Sequence, residues 1–142
     1  SSKRGDPNAR NITSLLEKHG VDICFSGHVH DYERTFPMVG EDVLPWDEGG
    51  VIYVTTAGGG GHLEDFDPAN TTFGHRKARR HHFVYCGIHD GILEFQAMDE
   101  DGRLFDVLSL DKRDGRRSVA RAARNGVEIA PKTPTPYHHS TL

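Results

Sequence analysis

The chain has 142 residues, 35% hydrophobic and 27% charged, enough for one ordinary domain with one core and well outside the apolar-poor composition of disordered chains. Its longest apolar stretches are strand-sized, as in Val51-Ile52-Tyr53-Val54, so none approaches the roughly 20 apolar residues of a membrane span. The net charge of −4 is uneven, −8 over residues 1–112 and +4 over 113–142, and the acidic body argues against a nucleic-acid partner, which needs clustered Lys and Arg to meet phosphates.

The opening Ser1-Ser2-Lys3-Arg4 has neither an initiator Met nor the apolar core of a signal peptide, and reads as a cut or processed end. Asp6-Pro7 supplies an N-cap and a first-turn proline, Ile12, Leu15 and Leu16 share a face, and Gly20 stands at a C-cap position; together they predict a helix over 7–19. Val21–Ser26 alternates β-branched and aromatic residues and reads as a strand ending at Gly27-His28. From Pro37 to Gly50, two prolines, paired glycines and four acids predict a long loop before strand character resumes over Val51–Ala57. Gly58–Gly61 break the chain, and 62–82, with Pro68, Asn70, Gly74 and the cationic run His75–His82, read as a second surface loop. Phe83–His89, Ile92–Met98 and Arg103–Leu110, joined by Asp90-Gly91 and Asp99–Gly102, predict an antiparallel meander. Residues 113–142 are Arg- and Pro-rich without an apolar face and read as a mobile tail. Cys24 and Cys86 lie in strand-like runs without a C-x-x-C partner, which suits buried free thiols.

The chemistry concentrates in Ser26-Gly27-His28-Val29-His30-Asp31-Tyr32-Glu33-Arg34. A His-x-His just past a strand end places two imidazoles on one side of extended backbone, and neutral imidazole is the commonest metal ligand near neutral pH. Strand carboxyl ends are where open α/β folds collect functional groups. Asp31, Tyr32, Glu33 and Arg34 offer donors and acceptors to support such ligands.

The run Gly-His-Val-His-x-Tyr-Glu-Arg resembles the last metal-binding motif of the calcineurin-like metallophosphoesterases, purple acid phosphatase branch, with supporting likeness across about residues 8–112. The resemblance implies an α/β fold, the carboxyl-terminal part of an α/β/β/α sandwich, mostly β here with one amino-terminal helix and a meander. The chain would supply chiefly the second sheet, and its exposed inner face predicts dimerisation or aggregation. His28 would ligate the exchangeable divalent ion and His30 the other, ferric in many members, in a centre pairing iron with zinc, manganese or iron. Such a centre hydrolyses phosphate monoesters through activated water. The family's Asp-x-His, Gly-Asp, Gly-Asn-His and further His ligands lie upstream of the final motif and have no counterpart here; Gly5-Asp6, followed by Pro7-Asn8 in a helix-start context, does not count as the Gly-Asp motif. The resemblance therefore implies a piece that binds metal weakly and is inactive without the other half of its domain. Export to the extracellular or periplasmic space is implied by the family only.

Gly58–Gly61 matches no P-loop and is either a close-packed turn or a loop bordering the metal site; in the second case Gly59, Gly60 and His62 approach substrate. His81-His82 before a strand suggests hydrogen bonding rather than metal binding, and Asn11 and Asn70 head possible glycosylation sites. A function of a different class is a noncatalytic β-rich interaction module, using the His75–His82 loop or the basic tail.

Overall fold

A computed structural model describes residues 8–66 and 73–119. The first helical segment forms as a 3-10 turn, Ala9–Ile12, running into α1, Thr13–Lys18, and Thr13 Oγ1 closes the junction by donating to the Arg10 carbonyl at 2.8 Å. Asp6 and Pro7 lie outside the described residues. No helix among those described is long and apolar enough to cross a membrane.

Two sheets follow. In the first, β1 (Ile23–Ser26) runs parallel to β4 (Val51–Thr56), with Ile23 opposite Ile52 and Phe25 opposite Val54. On the other side of β4 lies β2 (Tyr32–Val39), antiparallel to it, and the far edge of β2 is shared by β3 (Asp42–Val43) and β5 (Gly74–Ala78). The second sheet is the meander β6 (His82–His89), β7 (Ile92–Asp99) and β8 (Leu104–Asp111), closed by β9 (Ser118–Val119). At its first turn Asp90 and Gly91 both have positive φ, 45° and 76°, the backbone a two-residue hairpin turn requires and the reason Asp-Gly marks one in sequence.

Three sequence expectations need correction. Residues 37–39 and 42–43, read as loop, are strand; Pro37 is tolerated because the β2–β4 register shifts between Arg34 and Pro37, where no ladder N–H is demanded. Residues 74–78, also read as loop, form β5. Its polar side chains hide the strand from a hydrophobicity reading; one of them, Lys77, pairs across the sheet with Glu33 at 3.0 Å. The sheet also extends past residue 112: Leu110 and Asp111 pair with Val119 and Ser118, and buried Arg117 donates to the carbonyls of Trp46 at 3.0 Å and Gly50 at 2.7 Å. Residues 120–142 lie outside the described residues. Both cysteines are free, Cys24 half-buried but Cys86 exposed rather than buried.

The inner faces of the sheets cover one another. Tyr32, Ile52 and Val54 of the first meet Phe95, Ala97, Leu108 and Leu110 of the second in a single buried cluster with Trp46. The chain thus carries strands of both layers, not chiefly the second, and the exposed inner face expected from sequence shrinks to one margin. There Phe25 is 47% and Ile88 76% exposed.

Across the interface, Asp106 of β8 accepts from Arg34 Nε at 2.6 Å, Arg34 Nη2 at 2.7 Å and the Tyr32 hydroxyl at 2.5 Å. Arg34 and Asp106 are each 1% exposed, so removing one partner strands the other charge away from water. Asp106→Ala is expected to lower unfolding free energy by about 3–5 kcal/mol, while the joint change Arg34→Met with Asp106→Leu costs less than either single polar loss; additive losses in denaturant melts would contradict this.

His75 packs edge-on against Phe36 and Trp46, with ring centroids 4.8 and 5.3 Å away. Burial first, then the Arg34 guanidinium, hold its pKa down to about 4. An unfolded imidazole titrates near 6.5, so this contribution is intact above about pH 6.5 and is lost as pH falls toward 4. His75→Gln should flatten the stability profile between pH 6.5 and 4.5, by up to ~1.4 kcal/mol per pH unit; an unchanged slope would contradict the assignment.

Candidate metal centre

β1 stops at Ser26, and the next five residues fold as two successive tight turns. The Val29 N–H donates to the Gly27 carbonyl at 3.1 Å and the Asp31 N–H to the Val29 carbonyl at 2.8 Å, so His28 and His30 each occupy the apex of a three-residue turn. His28 has φ 77°, the rarer and strained form of that turn, a conformation that costs a non-glycine residue about 1–3 kcal/mol and concentrates at functional sites. The extended backbone from which sequence spacing argues is therefore absent; turn geometry, not strand alternation, sets the two rings.

The chain beyond β4 folds back over this turn. The Ala57 N–H donates to the Asp31 carbonyl at 3.3 Å, and the Glu64 N–H to the His30 carbonyl at 3.0 Å. The His30 N–H lies 3.4 Å from Glu64 Oε1. The His30 Nδ1 sits 2.9 Å from the His62 carbonyl oxygen. A carbonyl can only accept, so Nδ1 carries the proton and Nε2 keeps its lone pair, the arrangement by which outer groups orient a metal-binding imidazole. His28 is exposed and His30 half-buried. Asp31, 4% exposed, has its carboxyl pKa pushed up to about 6 by burial first and then by the Glu33 charge.

Comparison with known proteins fits this geometry. No protein-family model matches the chain. It is 28% identical over 123 residues to a nucleotide pyrophosphatase/phosphodiesterase of Hordeum vulgare, covering 77% of this chain and 33% of that protein. It is 37% identical over 62 residues to the probable inactive purple acid phosphatase 24 of Arabidopsis thaliana, 39% of this chain and 10% of that one. Among solved structures, purple acid phosphatase PPD1 from yellow lupin (Lupinus luteus) seeds superposes with a TM-score of 0.64 at 31% identity, over 72% of this chain and 20% of that chain.

The chain's homologues are thus purple acid phosphatases and a nucleotide pyrophosphatase/phosphodiesterase. It spans a third or less of the length of these relatives. Its mostly β fold with one short helix is that of a piece of the purple acid phosphatase fold.

Within that frame the sequence-predicted residues divide. His28, His30 and Asp31 stay together at the turn. Tyr32 and Arg34 do not border it: both side chains point between the sheets to Asp106, a correction to their reading as supports for metal or substrate. Glu33 pairs with Lys77. Gly59 and Gly60 have no heavy atom within 4 Å of where a side chain would begin. His62 contributes its carbonyl, while its side chain is exposed. His82 donates from Nδ1 to the Arg80 carbonyl at 2.8 Å and meets Thr56 Oγ1 through Nε2 at 3.0 Å, so this pair is hydrogen-bonded, as its sequence position suggests. Asn70 lies outside the described residues.

The donors fit part of a metal centre. Two imidazoles, one with a fixed bare nitrogen, suit zinc, manganese or iron, but no group of three or more His, Cys, Asp or Glu side chains gathers among the described residues. A cleft of about 200 Å³ lies at the opposite end of β1, lined by Glu17, Asp22, Lys112 and Arg117 among others, and is separate from the turn. Sequence reading missed Gly61 and Glu64, which meet His30 only because the loop returns over it, Glu64 from 34 residues downstream.

Proposed function

We propose that this chain contributes His28 and His30 to the dinuclear centre of a phosphoesterase, His28 toward the exchangeable divalent ion and His30 toward the other. The remaining ligands come from polypeptide beyond these 142 residues. The observation that carries the reading is the His30 Nδ1 bond to the His62 carbonyl, which leaves a single ring nitrogen poised for coordination at the end of β1. When bound, two cations of this kind clamp a phosphate ester and acidify a water for in-line attack. The chain's own part is to aim the His30 ring, to hold His28 at a strained, exposed apex, and to bury the Asp31 carboxyl behind them. The substrate class is phosphate monoesters, the metals iron with zinc, manganese or iron, and the compartment extracellular or periplasmic.

The rest of the domain is the partner. The outer edge of β1 carries no strand among the described residues, and Phe25 on that strand is exposed. An open strand edge next to uncovered apolar surface is a pairing site, which supports completion of the first sheet there by the missing half. A second reading, a noncatalytic interaction module, draws on the relatives named probable inactive purple acid phosphatases. Its first proposed contact surface is weakened, because residues 75–78 of the His75–His82 run are β5 and His82 is buried. Its second, the basic tail, lies outside the described residues from 120 onward.

In the full-length protein, His28→Ala and His30→Ala should each lower p-nitrophenyl phosphate turnover at least 100-fold with the fold retained by circular dichroism. Wild-type turnover in both variants would refute the catalytic reading, and an unaltered protein without turnover would favour the noncatalytic one.

A further inference from the structure

The four glycines after β4 are not equivalent. A methyl group built on Gly61 would lie 2.5 Å from His30 Cε1, 2.6 Å from Nδ1 and 3.2 Å from Nε2, far inside the van der Waals separation of carbon and nitrogen, and no other heavy atom is among its three nearest. Gly61 is not in the left-handed region, so alanine there meets no left-handed strain, and its nearest and sub-van-der-Waals contacts are with the His30 ring. Gly59 is the matched control, in the same loop and with nothing within 4 Å of the corresponding position. One residue beyond Gly61, the His62 carbonyl takes the Nδ1 proton, and two further on Glu64 holds the His30 backbone from both sides. The loop therefore presents a flat, side-chain-free wall to one face of the imidazole and an acceptor to one of its nitrogens.

We propose that Gly61 is the positioning residue for His30: the absence of a side chain at 61 seats the ring against the loop, where the His62 carbonyl fixes the Nδ1-protonated tautomer and directs Nε2 outward. The inference deepens the metal-site reading and rests on it for its purpose. Its geometry is testable without metal. Gly61 itself touches no substrate or ion; it acts through His30.

The test is made on the full-length protein with Gly61→Ala and Gly59→Ala, by two readouts. In the metal-free protein, nitrogen-15 spectra of the imidazoles at pH 8 should show wild-type and Gly59→Ala His30 protonated at Nδ1, and Gly61→Ala as a tautomer mixture. In Zn²⁺ titrations, Gly61→Ala should bind 10–100-fold more weakly than wild type, the loss typical when an outer-shell contact to a ligand is disturbed, while Gly59→Ala stays within about twofold of wild type, as its open position predicts. A wild-type His30 protonated at Nε2 overturns the proposal even if Gly61→Ala fails to fold, and so does a Gly61→Ala protein with wild-type tautomer and affinity. Wild-type Zn²⁺ affinity in His30→Ala would instead overturn the metal assignment, leaving the tautomer result to decide the role of Gly61.

Discussion

Asp106 is the point on which the packing of the two sheets, and the β1–β2 turn of the first, depend. Its carboxylate lies in the middle of the interface and is met by the guanidinium of Arg34 in a two-nitrogen fork and by the Tyr32 hydroxyl. Both donors sit on β2, within six residues of His28. Charge-assisted bonds of this geometry are short and directional, so β2 leaves the turn along one line, locked to β8. In a hydrophobic core without that fork, β2 could slide by two residues and still keep the same face toward the core. With it, a slip would leave a buried carboxylate facing nothing, at a cost of several kcal/mol.

That anchoring makes the strain at His28 tolerable. A positive φ on a histidine persists only where its surroundings leave no alternative. Here β1 is held by β4 on one side of the turn and β2 by β4, β5 and Asp106 on the other. The turn is bracketed by two rigid strands, and the returning loop pins it at Asp31 and His30. The molecule spends core stability on a polar interface and backbone strain on a turn, a pattern expected where a site must be preorganised.

How much was legible in sequence follows from which forces act locally. The meander was readable because alternation and Asp-Gly turns are local signals, and the helix because glycine ends it at Gly20 with φ 62°. β5 was not, since Gly-His-Arg-Lys-Ala has no apolar period and becomes a strand only through β2. The same holds for Tyr32 and Arg34: adjacency to His30 suggested a role at the site, whereas their partner Asp106 is more than 70 residues away and invisible to any short pattern. The His-x-His spacing argues from extended alternation, whereas two successive turns set the His28 and His30 rings. Gly61 had no sequence signal separating it from its three neighbours; only its distance to the ring does so.

The most direct test of the central claim is anomalous X-ray diffraction from crystals of the full-length protein grown with Mn²⁺ or iron. The account requires two peaks about 3.5–4 Å apart, one bonded to His28 and the other to His30 through Nε2 at roughly 2.0–2.2 Å. Metal lodged elsewhere, with neither imidazole in coordinating range, would contradict it.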